Sequence, residues 1–299
     1  MKRYVSFFIV FVTVLSLCAC SPRRFSLVIN AIDVPQEIYN YYLSAAENDE
    51  KYSDKKDKEK IALKLCRIYT AENELIKQYG ASLSAEEKVS AAADTKAKWL
   101  YYSDFYNKNS VSKQTLNLMI EHEKLVENAI IASCSEENGV PLPEEDIRSF
   151  YNENYAVVQV ISADLTDKSG KIADEETVNG IVESFKEMRN AVRSGEETES
   201  AAQRFPEIAH YDGKTTVISA FDNSYPEGLF ENVAELKNGE TQVYKYSRVI
   251  YLIHLVDSEE ADAYYSLYSK DCVVRMKKSE FEKTVNTIAQ TYKMVYNND

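Results

Sequence analysis

Two hydrophobic periods alternate along this chain, and their order restricts its fold more than any single residue does. Apolar side chains recur at intervals of three and four through Ile61, Leu65, Ile68, Leu75 and Ile76, which predicts a helix over about 59–79 with one buried side. An earlier helix opens at Val34-Pro35-Gln36-Glu37, with proline near its first turn. Residues 47–60 are a mixed charge run, read as a solvated loop or helix edge. Ser84 and Glu87 have capping-box spacing and start a third helix through Ala91, Trp99 and Leu100. A fourth covers about 112–133. Gly139, Pro141 and Pro143 close this block, and Pro143-Glu144-Glu145-Asp146 starts a short helix ending at Asn154.

At Tyr155 the period changes. Ala156 to Ile161 (AVVQVI) is rich in β-branched residues and reads as a strand. Asp174 caps a helix striped by Val178, Ile181, Phe185 and Val192, and Ser194-Gly195 stops it. A small helix at Ala201-Ala202, a strand at 217–220 and a helix at 229–236 follow. Lys237-Asn238-Gly239-Glu240 turns into a strand pair, 241–246 and 249–256. The helical period returns from Glu259 to Thr291 through Tyr264, Leu267, Val274, Phe281 and Val285, and Lys293 to Tyr296 is again β-prone.

The expected fold class is therefore α+β: a mostly helical domain formed by the N- and C-terminal segments, with an α+β domain inserted. The expected divisions are 20–154, 155–257 and 258–299. Neither helical flank is long enough to build a large core alone, so the two are expected to pack together. The KMVY strand near the end is expected to pair with LVIN at 27–30.

Composition excludes several classes. Glycine (8) and proline (6) are scarce in 299 residues, which rules out collagen-like and low-complexity chains. A net charge of −13 leaves few uncompensated cations for phosphates, so no nucleic-acid partner is expected. No internal apolar run approaches the roughly 20 residues that span a bilayer. Only the N-terminus is greasy. Lys2 and Arg3 precede an apolar run from Val5 to Leu17 with the length of a signal-peptide core. Leu17-Cys18-Ala19-Cys20 resembles a bacterial lipobox, which makes residues 1–19 a lipoprotein signal peptide and Cys20 the lipidated residue. The chain is then expected outside the cytoplasm, lipid-anchored to a bacterial membrane on its periplasmic or cell-surface side, with its acidic body held off anionic lipid.

Motifs for common chemistries are missing. His122 is followed by Glu123 but lacks the second His of HExxH, and no CxxC or Cys/His spacing occurs, so no metal is expected. The histidines lack a G-x-S-x-G elbow, glycine-rich phosphate loops are absent, and no cofactor is expected. His210 reads as a solvated loop residue and His254 as a packed or surface strand residue. Cys66 and Cys134, both in helical patterns, read as either a disulfide pair or buried free thiols. Most of the 22 tyrosines sit at helical spacing and read as core or rim. Tyr101, Tyr102 and Tyr106 are the subset read as a surface that grips unfolded chains.

Several stretches taken together resemble the SurA/PrsA group of exported foldases, over roughly 26–299. Val28-Ile29-Asn30 and Val34-Pro35-Gln36-Glu37 through Tyr41-Tyr42-Leu43 are similar to the opening strand and helix of these chaperones. Pro143-Glu144-Glu145-Asp146 to Asn154 is similar to the short helix leading into their parvulin-type peptidyl-prolyl isomerase domain. Gly195-Glu196-Glu197 with Ala202 and Phe205, and then Pro226-Glu227, Phe230, Leu236 and Gly239-Glu240, resemble stretches of that domain. Thr198 and Pro206 depart from the family's Phe and Ser. The two family histidines are replaced: the first strand has Gln159, or Val160 with a one-residue slip, and the last strand has Tyr251. The family's GGDLG stretch is also missing.

The resemblance implies a lipid-anchored folding factor that binds unfolded or nascent exported polypeptides without ATP. Its inserted domain would have weak or no isomerase activity, with Tyr225, Leu229 and Phe230 around an apolar peptide groove. A hydrogen bond between Gln159 and Tyr251 would leave residual catalysis. An active peptidyl-prolyl isomerase and a structural surface lipoprotein are the alternatives.

Overall fold

A computed structural model describes residues 25–52 and 56–297 of the chain. The expected signal peptide, 1–19, and the expected lipidation site, Cys20, lie outside the described residues. In chain order the elements are β1 (Ser26–Ile29), β2 (Ile32–Asp33), α1 (Gln36–Asn48), a 3-10 turn (Glu50–Tyr52), α2 (Lys58–Gln78), α3 (Ala85–Lys108), α4 (Lys113–Ser133), α5 (Glu144–Asn154), β3 (Tyr155–Asp164), α6 (Glu175–Arg193), α7 (Thr198–Gln203), β4 (Thr215–Ser219), α8 (Leu229–Ala234), β5 (Thr241–Lys245), β6 (Val249–Leu255), α9 (Ser258–Thr291) and β7 (Met294–Asn297). No described helix is long and apolar enough to cross a membrane.

The chain forms two compact units. One joins the two ends, Met1–Val140 and Lys277–Asp299; the other is continuous, Pro141–Met276. The end-built unit contains a sheet of order β2-β1-β7. β1 and β7 run antiparallel with Leu27 opposite Tyr296 and Ile29 opposite Met294, so the last strand pairs with the first as their sequences predict. Phe25, Tyr39 and Tyr296 form a ring cluster over this junction, at 5.1 to 6.0 Å between centroids. Phe281, Val285 and Ala289 from the second half of α9 and Tyr292 just beyond its end are buried, and the Tyr292 hydroxyl donates to Glu74 on α2. The capping box at α3 is complete: Ser84 N donates to Glu87 Oε2 at 2.7 Å, and Glu87 N donates to Ser84 Oγ at 3.1 Å.

The continuous unit holds a four-stranded antiparallel sheet of order β4-β3-β6-β5. Side chains alternate between its faces. On one face α6 lays Phe185, Met188 and Val192 against Ile161, Leu165, Ile250 and Leu252. On the other face α8 brings Leu229 and Val233 to Val158, Ile218 and Ile253. Each fully buried side chain of this size contributes about 1.5–3 kcal/mol.

This unit extends beyond residues 155–257 on both sides, for a packing reason. Tyr151 of α5 stacks on Tyr155 at 5.3 Å and meets Tyr265 of α9 edge-on at 5.4 Å. Tyr265 is also the inward residue of the early part of α9: it is 5% exposed, whereas Leu267, which the apolar period places in the stripe, is 72% exposed. Cys66, Cys134 and Cys272 are all free thiols, so Cys66 and Cys134 are not paired.

Candidate functional site

The antiparallel register decides which residues can cooperate. Gln159 lies opposite His254, and Tyr251 lies opposite Ser162. An offset of three positions with a period of two puts Gln159 and Tyr251 on opposite faces of the sheet. The hydrogen bond expected between them does not form. Val160, the position reached by a one-residue slip, shares Tyr251's face.

Gln159 belongs instead to a polar row that crosses all four strands on the α6 face: Thr215, Gln159, His254, Thr241. Gln159 Nε2 donates to Thr215 Oγ1 at 3.5 Å, and Thr215 Oγ1 donates to Glu260 Oε1 at 2.8 Å. His254 Nδ1 and Thr241 Oγ1 are hydrogen-bonded at 2.9 Å. Burial holds the His254 imidazole below its ordinary value of 6.5, against the opposing pull of Glu260 and Asp257. The one histidine of the sheet is therefore turned away from Tyr251. His210 is exposed and bridges β3 through its backbone alone, with Ser162 N donating to its carbonyl at 2.9 Å.

Tyr251's face is lined with tyrosine. Its ring meets Tyr225 edge-on at 5.8 Å and Tyr246 at 6.2 Å. Tyr244 lies directly across from it on β5 and donates its hydroxyl to the Asn232 carbonyl at 3.0 Å. The Tyr246 hydroxyl is shielded from solvent and has no hydrogen-bond partner among the described residues. Burial raises the Tyr225 and Tyr251 phenols above their ordinary value and pushes Tyr244 up to about 12. These phenols are neutral at physiological pH: hydrogen-bond donors with broad apolar rings, and no general base among them.

Beside this floor α8 borders a cavity of about 480 Å³. Its walls include Tyr225, Leu229 and Phe230, together with Ile218, Pro226 and Gly228. Gly228 caps α8 in the left-handed region (φ 82), where a β-carbon would be strained. Leu229 is 1% exposed and anchors α8 to the sheet, while Tyr225 and Phe230 are half-buried. The three residues singled out from sequence thus meet at one cavity, with Leu229 as its base. Sequence reasoning misses Tyr244 and Tyr246. The signal is present: strands joined by a turn at 246–249 place Tyr244 opposite Tyr251.

The tyrosines of the end-built unit are not one surface. Tyr101 and Tyr102 are 78% and 58% exposed, beside exposed Leu100, at a kink where Tyr102 leaves helical geometry (φ −125, ψ 15). Tyr106 is half-buried instead, stacked on Trp99 at 6.0 Å and packed against Leu116 and Ile120. His122 is buried and paired with Glu72, Nε2 to Oε2 at 2.8 Å, with the Tyr69 ring 4.5 Å away. No group of three or more potential metal ligands occurs among the described residues.

No protein-family model matches the chain, and no curated protein matches its sequence. Solved structures similar to it are foldase proteins PrsA. The one from Streptococcus pneumoniae is 16% identical with a TM-score of 0.44, covering 81% of this chain and 88% of that one. The one from Lactococcus lactis is 10% identical, also at 0.44, covering 92% and 95%. The one from Bacillus subtilis is 14% identical at 0.37, covering 81% and 87%. Likeness at this level transfers no residue roles.

Proposed function

We propose that the chain is an extracytoplasmic folding chaperone, anchored through lipidated Cys20, that holds unfolded exported polypeptides in reversible apolar contact. In this reading the cavity beside α8 takes an extended client segment, and the unit around it has lost efficient prolyl isomerisation. The observation that carries this is the tyrosine face: Tyr225 lines the groove, its ring meets Tyr251, Tyr251 in turn meets Tyr246, and the strand histidine, His254, lies on the other side of the sheet. Catalysis of prolyl isomerisation must lower a barrier of about 18–20 kcal/mol by holding the twisted amide better than either planar form. Neutral phenols offer hydrogen bonds and a platform for apolar side chains, which suits holding more than turnover. Exposed Leu100, Tyr101 and Tyr102 supply a second apolar contact in the end-built unit.

Two assays test this. The purified chain is expected to suppress aggregation of a reduced, unfolded client, and a Tyr101→Ser/Tyr102→Ser variant to do so less well with its fold intact. A protease-free prolyl-peptide assay is expected to show rates at the uncatalysed background, unchanged by Gln159→Ala or Tyr251→Phe. Rapid isomerisation that Tyr251→Phe abolishes would establish an enzyme in place of a holdase. Failure to protect any client would leave only a structural lipoprotein.

A further inference from the structure

The cavity beside α8 carries charge of one sign. Asp222, Glu227 and Glu231 line it, and no lysine or arginine does. All three are exposed, and none forms an ion pair among the described residues. Asp222 is fixed in place by the Ser224 N–H and hydroxyl, which donate to its Oδ1 at 2.8 and 2.7 Å. Carboxylates also reach the floor: Asp222 and Asp212 act on Tyr225, and Asp164 acts on Tyr251.

Two other cavities carry charges of both signs. Lys51 and Lys64 share one with Glu72 and Glu282. Lys277 lines another and pairs with Glu280 at 2.8 Å. Asp262, on a third, pairs with Arg148 at 3.1 Å. The imbalance follows the division of the chain. Pro141–Met276 has 26 acidic and 13 basic residues, the whole net charge of −13, while the rest has 22 of each.

We propose that this groove selects polypeptide segments in which an apolar residue is flanked by lysine or arginine, and rejects those flanked by acids. The proposal rests on the reading that the cavity holds extended polypeptide, and it adds which segments enter. The apolar side chain occupies the wall of Leu229, Phe230 and Tyr225, and cationic neighbours meet the rim carboxylates. Rim charges act on encounter and partner choice more than on total affinity, and their effect is screened by salt. Three contacts, each of the strength of an exposed ion pair, amount together to roughly tenfold in affinity.

The test uses the purified full chain and three fluorescent peptides with one shared Phe-Pro core, flanked by Lys, Gln or Glu. Anisotropy is expected to rank them Lys, Gln, Glu, with about tenfold between the extremes at low salt. A triple variant, Asp222→Asn/Glu227→Gln/Glu231→Gln, is expected to remove the ranking among the three peptides. High salt is expected to do the same. Equal binding of Lys- and Glu-flanked peptides, or a ranking that survives in the triple variant, overturns the selectivity. Binding of the Gln-flanked peptide is expected to weaken in Tyr225→Ala, which removes a cavity wall. If that peptide does not bind, or binds Tyr225→Ala unchanged, the groove assignment itself fails.

Discussion

In the unit that joins both chain ends, β1 lies between β2 and β7, so a sheet begun at residue 26 is completed by a strand that starts at residue 294. In Pro141–Met276 all four strands come from one continuous stretch. The first unit must close a loop nearly as long as the chain before its sheet is complete; the second has every strand within reach of its neighbours. Their charges differ in the same division, balanced in the first and strongly acidic in the second. The contrast teaches that the acidity of this chain is a property of one structural unit, the one with the groove, and that the neutral unit is the one that depends on both chain ends.

Truncation after Met276 sharpens this contrast most. It removes β7 and the buried Phe281, Val285, Ala289 and Tyr292. Hydrogen exchange is expected to show loss of protection across α1 to α4, with β3 to β6 still protected; protection retained in α1 to α4 would break the claim that the first unit needs both ends. Phe185→Ala comes next. Phe185 is 0% exposed between α6 and the sheet, and its truncation is expected to cost about 3–5 kcal/mol. Denaturant unfolding followed unit by unit should show that loss in Pro141–Met276 alone.

The smallest effect is a pH dependence. The folded His254 pKa lies below 6.5 because of burial, so the unfolded chain binds the proton more readily. Stability from neutral His254 is fully present above about 6.5 and is lost as pH falls below that value toward the folded pKa. The urea midpoint of Pro141–Met276 is expected to drop between pH 7.5 and 5.5, and His254→Asn to flatten that drop. A midpoint that rises on acidification would contradict the burial argument.

Helix starts are the most legible features, because caps are local chemistry. The Ser84–Glu87 box and the Asp174 cap both form as their sequences predict, the latter with Thr177 N donating to Asp174 Oδ1 at 2.8 Å. Strand ends are less legible: β4 begins at Thr215, two residues before the expected start at 217, because pairing with Gln159 extends it. The apolar period misplaces Leu267 because a 34-residue helix passes through different surroundings along its length, and one period cannot describe them all.

What the amino-acid order settled alone is the succession of helices and strands, the caps that start them, and the likeness of LVIN and KMVY as partner strands. These depend on neighbours a few residues apart and on alternation within a strand. Tertiary structure alone decided that Tyr251 faces Tyr225 and Tyr246 while Gln159 and His254 face α6, and that three carboxylates ring one cavity. The physical reason is register: in a sheet, a shift of one residue reverses every side chain, and that shift is set by strands and a turn far from the residues it reorients.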